Sequence, residues 1–390
     1  MQASEFPSLN AEKTSRQLSA IFWAALKHHA PSISPDPYRK TLRSTIRKRV
    51  NYFLKRLAMR LIAITEKRDR RGYWYHACDT LALVSAHRNG LPEALTVLSR
   101  ILDRQMRGDG YLTQSLSQPW QVMGGYALSY AAENCTDGER YRPALERLFD
   151  TIRRCEKAEN GSIPYAAGTK EIYVDTIGMV CPFLAKYARV ANNPEALAIC
   201  RLQITEFFKH NVDSDTGLPF HTYYYPGPTK LGAHGWGRGV GWYLLGLVDV
   251  FSELEDDDLK RTIVSYISRL ADTLRLFQKH SGNWSAIISL PSTKDDLSAT
   301  AFCAYGLARA VQLNILDESY LPTLYKAFDA IAARTSSDGQ VQGASAEAYG
   351  PGDYGHTFGS QPWSNGIAAA AAFELTGLIK LRPELGRVLN

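Results

Sequence analysis

One pattern recurs along this 390-residue chain and leaves few folds open. A stretch of amphipathic helical periodicity is followed by a short glycine-containing loop with an aromatic or polar piece, then by a second, more apolar helical stretch. The pattern gives Leu42–Lys67, Gly72 and His76–His87, then Pro92–Met106, Gly110 and a helix opened by Gln118-Pro119-Trp120. It continues with Tyr141–Cys155, Gly161 and Ile172–Val190, then Pro194–Lys209, Gly217 and a glycine-rich stretch with its helix. Asp256–Phe277, Gly282 and Ser298–Leu313 follow, and last Tyr320–Arg334, Gly339 and a helix from Gln361-Pro362-Trp363 to Leu378. The loop glycines recur every forty to sixty residues, roughly, which marks a repeat architecture. An open stack of such units would need polar capping repeats. Six helix pairs whose second members are apolar nearly all round fit a closed all-α (α/α)6 toroid, with those second helices as the inner ring. The run Gly366-Ile367-Ala368-Ala369-Ala370-Ala371-Ala372-Phe373, free of charge, fits such an inner helix.

The same reading predicts one barrel over residues 39–390 and an N-terminal helical extension over 1–38, broken by the prolines between Pro31 and Pro37. No run is apolar for long enough to span a bilayer, and Met1 to Ser32 lacks a signal-peptide core, so a cytoplasmic location is expected. The six cysteines, Cys78, Cys135, Cys155, Cys181, Cys200 and Cys303, form no CxxC pair, and buried free thiols are expected. The net charge of +6 is concentrated: Arg39 to Arg71 holds thirteen Lys and Arg against two acids. A solvated helix face explains that segment better than a partner does, since no nucleic-acid motif accompanies it. A weak contact with an anionic surface through residues 39–71 remains open.

The stretch Gly232-Ala233-His234-Gly235-Trp236-Gly237-Arg238-Gly239-Val240-Gly241-Trp242 puts five glycines into one turn region before the fourth inner helix. Glycine there serves close backbone approach or positive φ. Trp and Arg together suit stacking on a sugar face and holding a carboxylate. A tight crossing of two helices would use the same glycines, and the stretch alone does not choose. In a toroid the starts of the inner helices share one rim with the loops. That rim would carry Tyr75, His76, Trp120, Gln121, Tyr165, His221, His234, Trp236, Arg238, Trp284, His356 and Trp363. An aromatic funnel with His, Arg and Gln suits a carbohydrate. Asp175 lies just inside the apolar third inner helix. Burial there would raise its pKa, as a general acid at neutral pH requires; a first-turn acid favoured by the helix dipole is the alternative.

Tyr173-Val174-Asp175 through Met179 and Pro182-Phe183-Leu184 resembles the D-x-x-x-M-x-x-P-F-L helix of the unsaturated uronyl hydrolases, glycoside hydrolase families 88 and 105. Trp236-Gly237-Arg238-Gly239-Val240-Gly241-Trp242 is similar to their W-G-R-G-N-G-W, with Val240 in place of Asn. Leu297-Ser298-Ala299-Thr300-Ala301 resembles their E-x-S-A-S-A, and Gly217 to His221 their strand ending in His. The order agrees from about residue 70 to 380, and the resemblance implies the (α/α)6 fold. It also implies hydration of the C4=C5 double bond of an unsaturated uronic acid that ends an oligosaccharide, with no metal or other cofactor. Asp175 would be the acid and base, and Arg238 with Trp236 would face the charged group or the ring. His221 would bind a hydroxyl or the carboxylate. Trp120, Gln121, Tyr75, Tyr165, His234, Trp242 and Trp363 would complete the sugar site, whose partner is an acidic oligosaccharide and not nucleic acid.

There are departures from the family pattern. Trp120 and Gln121 stand where the family carries an Asp-Asn pair, and the third-loop histidine is replaced near Pro164-Tyr165. Asp79, Asp295 and Asp296 are the remaining sources of a second carboxylate, or else capping and solvent-facing acids. Two alternatives follow: a sugar-binding barrel with altered or lost catalysis, and an epimerase working through a histidine pair such as His221 and His356.

Overall fold

The computed structural model describes residues 74–106, 116–225, 227, 229–255 and 257–381. The expected N-terminal extension, the basic segment over 39–71, the outer helix over Leu42–Lys67 and the Gly110 loop lie outside the described residues. The described chain runs α1 (Trp74–Arg88), α2 (Glu93–Gln105), a 3₁₀ turn (Pro119–Gly124) into α3 (Gly125–Asn134), and α4 (Arg142–Arg154). It continues β1 (Glu171–Tyr173), α5 (Asp175–Met179), α6 (Cys181–Val190), α7 (Pro194–Asn211), β2 (Phe220–Tyr224), β3 (Thr229–His234) and α8 (Gly237–Phe251). The last elements are α9 (Asp258–Phe277), α10 (Leu297–Gln312), α11 (Leu321–Ala333), β4 (Ala344–Ser345), β5 (Phe358–Gly359) and α12 (Ser364–Leu381).

The inner ring is α1, α3, α5 with α6, α8, α10 and α12. Each packs on the next, and α12 closes on α1. The inner helices are apolar because they have neighbours on most sides: α8 is buried from Gly237 through Val250, and α10 from Leu297 through Val311. The outer helices bury one stripe each. In α9 that stripe is Ile263, Ile267, Leu270, Ala271 and Leu274, at the three- and four-residue spacing of a single helix face. The fold is the expected (α/α)6 toroid.

The third inner helix is interrupted between α5 and α6, where Pro182 stands in the first turn of α6 and cannot donate back to the preceding turn. In the loops, β1, β2 and β3 make an antiparallel sheet in that order. Tyr173 lies opposite Thr222 and Phe220 opposite His234, with a register shift between Phe220 and Thr222. His221 sits at that shift, the kind of irregularity that re-aims a side chain.

The glycine-rich stretch is not one turn region. Its first residues belong to β3, and the helix starts at Gly237. Both expected uses of glycine occur. Gly232 has φ of 78°, and a Cβ there would lie 2.7 Å from the Tyr354 hydroxyl and 2.9 Å from His221 Cβ. A Cβ on Gly246 would lie 2.3 Å from the Ile177 carbonyl oxygen, so α8 can cross α5 closely only with glycine there. All six cysteines are free; Cys78, Cys181, Cys200 and Cys303 are buried, while Cys135 and Cys155 are half-buried. Among the described residues no helix is long and apolar enough to cross a membrane.

Candidate active site

Asp175 is the first residue of α5, placed by the backbone bond from Val174 N–H to the His221 carbonyl (2.9 Å). The helix start and β2 are thus tied together one residue before the acid. Its carboxylate is buried, and Oδ2 has no hydrogen-bond partner among the described residues. His221 Nε2 stands 3.8 Å from that oxygen. Burial pushes the Asp175 carboxyl up to about 6, against the pull of the Arg238 guanidinium and its own backbone N–H.

His221 is held on every side. Trp236 lies 4.3 Å away between ring centroids, Tyr173 meets it edge-on at 5.0 Å, and Tyr354 lies at 5.4 Å. Its Nδ1 is 3.1 Å from the Tyr354 hydroxyl, which accepts from Ala233 N–H at 2.6 Å. The hydroxyl proton is therefore assigned to Nδ1, which leaves Nε2–H turned toward Asp175. Burial, with Arg238 adding to it, pushes the imidazolium down to about 3, so the ring is neutral at physiological pH. A neutral N–H donor facing a carboxyl group that titrates near 6 is an acid–base arrangement rather than an ion pair.

Arg238 does not present an open clamp. Its guanidinium is buried between the rings of Trp236 (4.9 Å) and Trp363 (5.0 Å). Nη1 donates to Ser345 O (3.1 Å) and Ser345 Oγ (2.8 Å), and Nη2 donates to Ala346 O (3.1 Å). Ser345 in turn donates both N–H and Oγ–H to Asp296 (3.0 and 2.7 Å). The stacking expected between Trp236, Arg238 and a sugar is spent within the protein. What remains is a fixed positive charge that acts on Asp175 and His221.

Buried and half-buried groups surround this centre. Tyr165 lies against Tyr173 (4.9 Å, 36°) and faces Trp120 in a near-parallel stack (6.5 Å, 19°). Burial raises the Tyr165 phenol well above its ordinary range, with the charges of Asp175 and Glu347 next in weight. Tyr75 donates to Glu347 and lies beside Trp363. Glu347 also acts on the Arg238 guanidinium, as Asp175 does. It is a second carboxylate at the centre, and the sequence reading did not find it, nor Tyr173, Ser345 and Tyr354. Glu347, Ser345 and Tyr354 lie in the long connection between α11 and α12, where no periodicity marks a site.

Other expected residues are elsewhere. Trp242 is fully buried against Trp74 (5.7 Å) and Phe302 (4.2 Å) and belongs to the core, because its place six residues on, about one and two-thirds turns, points it away from the Trp236 side and between α1 and α10. Trp284 is likewise fully buried and donates Nε1–H to Leu274 O. Gln121 Oε1 accepts from Ser117 N–H and Gln118 N–H (2.7 and 2.8 Å), capping its own turn rather than lining the centre. His234 stacks on Phe220 (4.6 Å) and feels Asp213, apart from the His221 cluster. Asp296 caps α10 and Asp295 pairs with Lys279 (2.8 Å), so neither serves as the second acid. Asp79 is buried on α1 beside His76 at 4.0 Å. His356 is exposed whereas His221 is buried, and among the described residues no hydrogen bond or ring contact joins the two, so nothing in the structure supports the histidine pair of the epimerase alternative.

The model of Glycosyl Hydrolase Family 88 matches residues 45–376. An unsaturated 3S-rhamnoglycuronyl hydrolase of Formosa agariphila is 31% identical over 110 residues, which are 27% of this chain and 29% of that protein. One of the same description from an Alteromonas species is 29% identical over 144 residues, 36% of this chain and 35% of that protein. The matches therefore span well under half the length of either relative. Among solved structures, a Klebsiella pneumoniae protein described as a possible member of the GH105 family superposes with a TM-score of 0.75. That superposition covers 96% of this chain and 99% of the other at 17% identity, and shows the shared fold. With the family model matched over most of the barrel and over the helix that carries Asp175, the chain belongs to glycosyl hydrolase family 88.

Proposed function

We propose that this protein releases an unsaturated uronic acid from the end of an acidic oligosaccharide by adding water across its C4=C5 double bond. The observation that carries the reading is the pairing of Asp175 with a neutral His221 at 3.8 Å, beside the immobilised charge of Arg238. The protonated carboxyl gives its proton to C4. Water then adds its oxygen to C5 and returns a proton to the carboxylate. The C5 hemiketal opens, its ring oxygen takes up a proton, and the C1 hemiacetal expels the next sugar as an alcohol. Burial raises the fraction of Asp175 that still holds its proton near neutral pH, and Arg238 stabilises the carboxylate left behind; that stabilisation is greater in the transition state than in the ground state. His221 Nε2–H serves as a donor to substrate oxygen, and Trp120 with Tyr165 offers the stacking face for a sugar ring. Glu347, held by Tyr75, supplies the second carboxylate in the absence of the Asp-Asn pair.

Loss of the ultraviolet absorbance of the conjugated double bond, followed over a panel of unsaturated uronyl disaccharides, tests the proposal directly. If no member of the panel is consumed, the reaction is wrong for this chain. Tyr354→Phe is expected to lower kcat/KM about tenfold or more, because His221 Nδ1 and Ala233 N–H both lose their partner in a buried setting. Unchanged kinetics in that variant would mean that the orientation of His221 does not matter.

A further inference from the structure

Between the loops of the fifth and sixth units lies a cavity of about 600 Å³, walled in part by Lys279, Asn283, Lys294, Asp295, Arg334 and Phe358. It belongs to the same rim as Asp175 but not to the centre described above. Three cations face one carboxylate. Lys279 is committed to Asp295 (2.8 Å) and to the Thr293 carbonyl (2.6 Å), so that pair cancels. Lys294 lies over the Phe358 ring at 4.5 Å, and Arg334 is exposed; among the described residues neither makes an ion pair. The surplus is two positive charges. Asn283 is buried, and its amide nitrogen has only long contacts of 3.4 Å to Ser281. An aromatic face, an under-used amide donor and two cations in a cavity of this size suit a sugar that carries an anionic group.

The position adds to the argument. Gly343 lines the cavity and its carbonyl accepts from Leu297 N–H (3.0 Å). The next residues are β4, whose Ser345 holds Arg238, and Glu347 follows. One short strand therefore forms the wall between the cavity and the proposed reacting centre.

We propose that this cavity is a second saccharide site, which takes a sugar unit bearing a sulfate ester or a carboxylate. It rests on the proposed reaction only in the source of the ligand. A polymer that has been cleaved to leave an unsaturated uronate carries further anionic units along its chain. Lys294 and Arg334 give the site its charge selectivity, and Phe358 its contact with the ring.

Calorimetric binding of three saturated trisaccharides to the full-length protein and to its Lys294→Gln/Arg334→Gln variant tests this. One is sulfated, one is an oligouronate and one is neutral. The intact protein is expected to prefer an anionic probe over the neutral one, and the variant to bind that probe about tenfold more weakly with a smaller salt dependence. Preference for the sulfated probe assigns a sulfate ester, and preference for the oligouronate assigns a carboxylate. Equal affinity for all three probes, or an anionic affinity untouched in the variant, overturns the site. Hydration of an unsaturated uronide with a neutral leaving group is expected to proceed at the parent rate in the variant. If no uronide is hydrated but charge-dependent binding persists, the reaction falls and the cavity stands.

Discussion

Asp175→Asn is expected to lower kcat for hydration of an unsaturated uronide about a thousandfold while leaving the barrel folded and somewhat more stable. The kinetic part follows from removing the acidic proton that the proposed reaction delivers to C4. The stability part follows from the sign of the pKa shift. The carboxyl titrates at about 6 in the folded chain against an ordinary 3.8. The native state therefore holds this proton more tightly than the unfolded chain does. Its contribution to stability is most favourable at low pH and is lost as pH rises from about 4 through 6, where the buried group must carry charge. At neutral pH the amide removes that cost, worth up to about 3 kcal/mol. The pH profile of the parent enzyme gives a further check. Since Asp175 must be protonated to act, kcat/KM should be level below pH 6 and fall about tenfold per unit above it. His221, which is neutral down to about pH 3, adds no limb in that range. A variant that turns over normally, or a profile that rises through pH 6, would remove Asp175 from the chemistry.

The ring was legible because its cause is periodic. Each apolar second helix announces that it has neighbours all round, and six such helices leave little but a closed ring. Asp175 was legible for a related reason: one carboxylate in an otherwise apolar helix start stands out. The rest of the centre was not. Trp236 and Trp242 are one motif in sequence, yet Trp236 packs on His221 while Trp242, further along the same helix, faces Phe302 in the core. Direction around a helix is fixed by the packing of α8 on its neighbours, which residue type does not show. Arg238 looked like a ligand clamp because the partners it uses, Ser345 and Ala346, are more than a hundred residues away. Glu347 and Tyr354 lie in an aperiodic connection and become visible only when the loop folds back over β3. Gln121 is different. A glutamine three residues after a helix-entry residue is a capping signature, and it could have been read as one.

The opposite end of the ring carries a second polar centre, and there the largest loss of stability is expected. The N-terminal ends of the inner helices hold Asp175 and its partners. Toward their C-terminal ends, Arg88 of α1 pairs with Glu374 of α12 and donates to the Tyr126 and Tyr305 hydroxyls (3.2 Å each). Asn89 donates to Glu374 (2.9 Å), and Tyr305 donates to Asp249 of α8 (2.9 Å), which Arg309 of α10 approaches at 3.6 Å. These contacts join α1, α3, α8, α10 and α12, and Gln312 adds bonds to Asn89 Oδ1 (3.2 Å) and to the Glu374 carbonyl (2.6 Å). These side chains are scattered over different helices that are mostly apolar, so only the order of helices around the ring reveals the pairing. Glu374→Ala leaves Arg88 without its carboxylate and is expected to cost about 3–5 kcal/mol, seen as a fall in Tm of about 5–10 °C. Burial pushes the Glu374 carboxyl up, but Arg88 and Arg309 outweigh it and hold the group below its ordinary range. Its stabilisation is thus present above the unfolded-state pKa and lost as pH falls through the folded one. Glu374→Gln should flatten that acid limb, and replacing Arg88 and Glu374 together by apolar residues should recover most of the loss. Since the pair lies at the far end from Asp175, kcat measured well below the new Tm should match the parent. A normal Tm in Glu374→Ala would mean that the ring closes without this network.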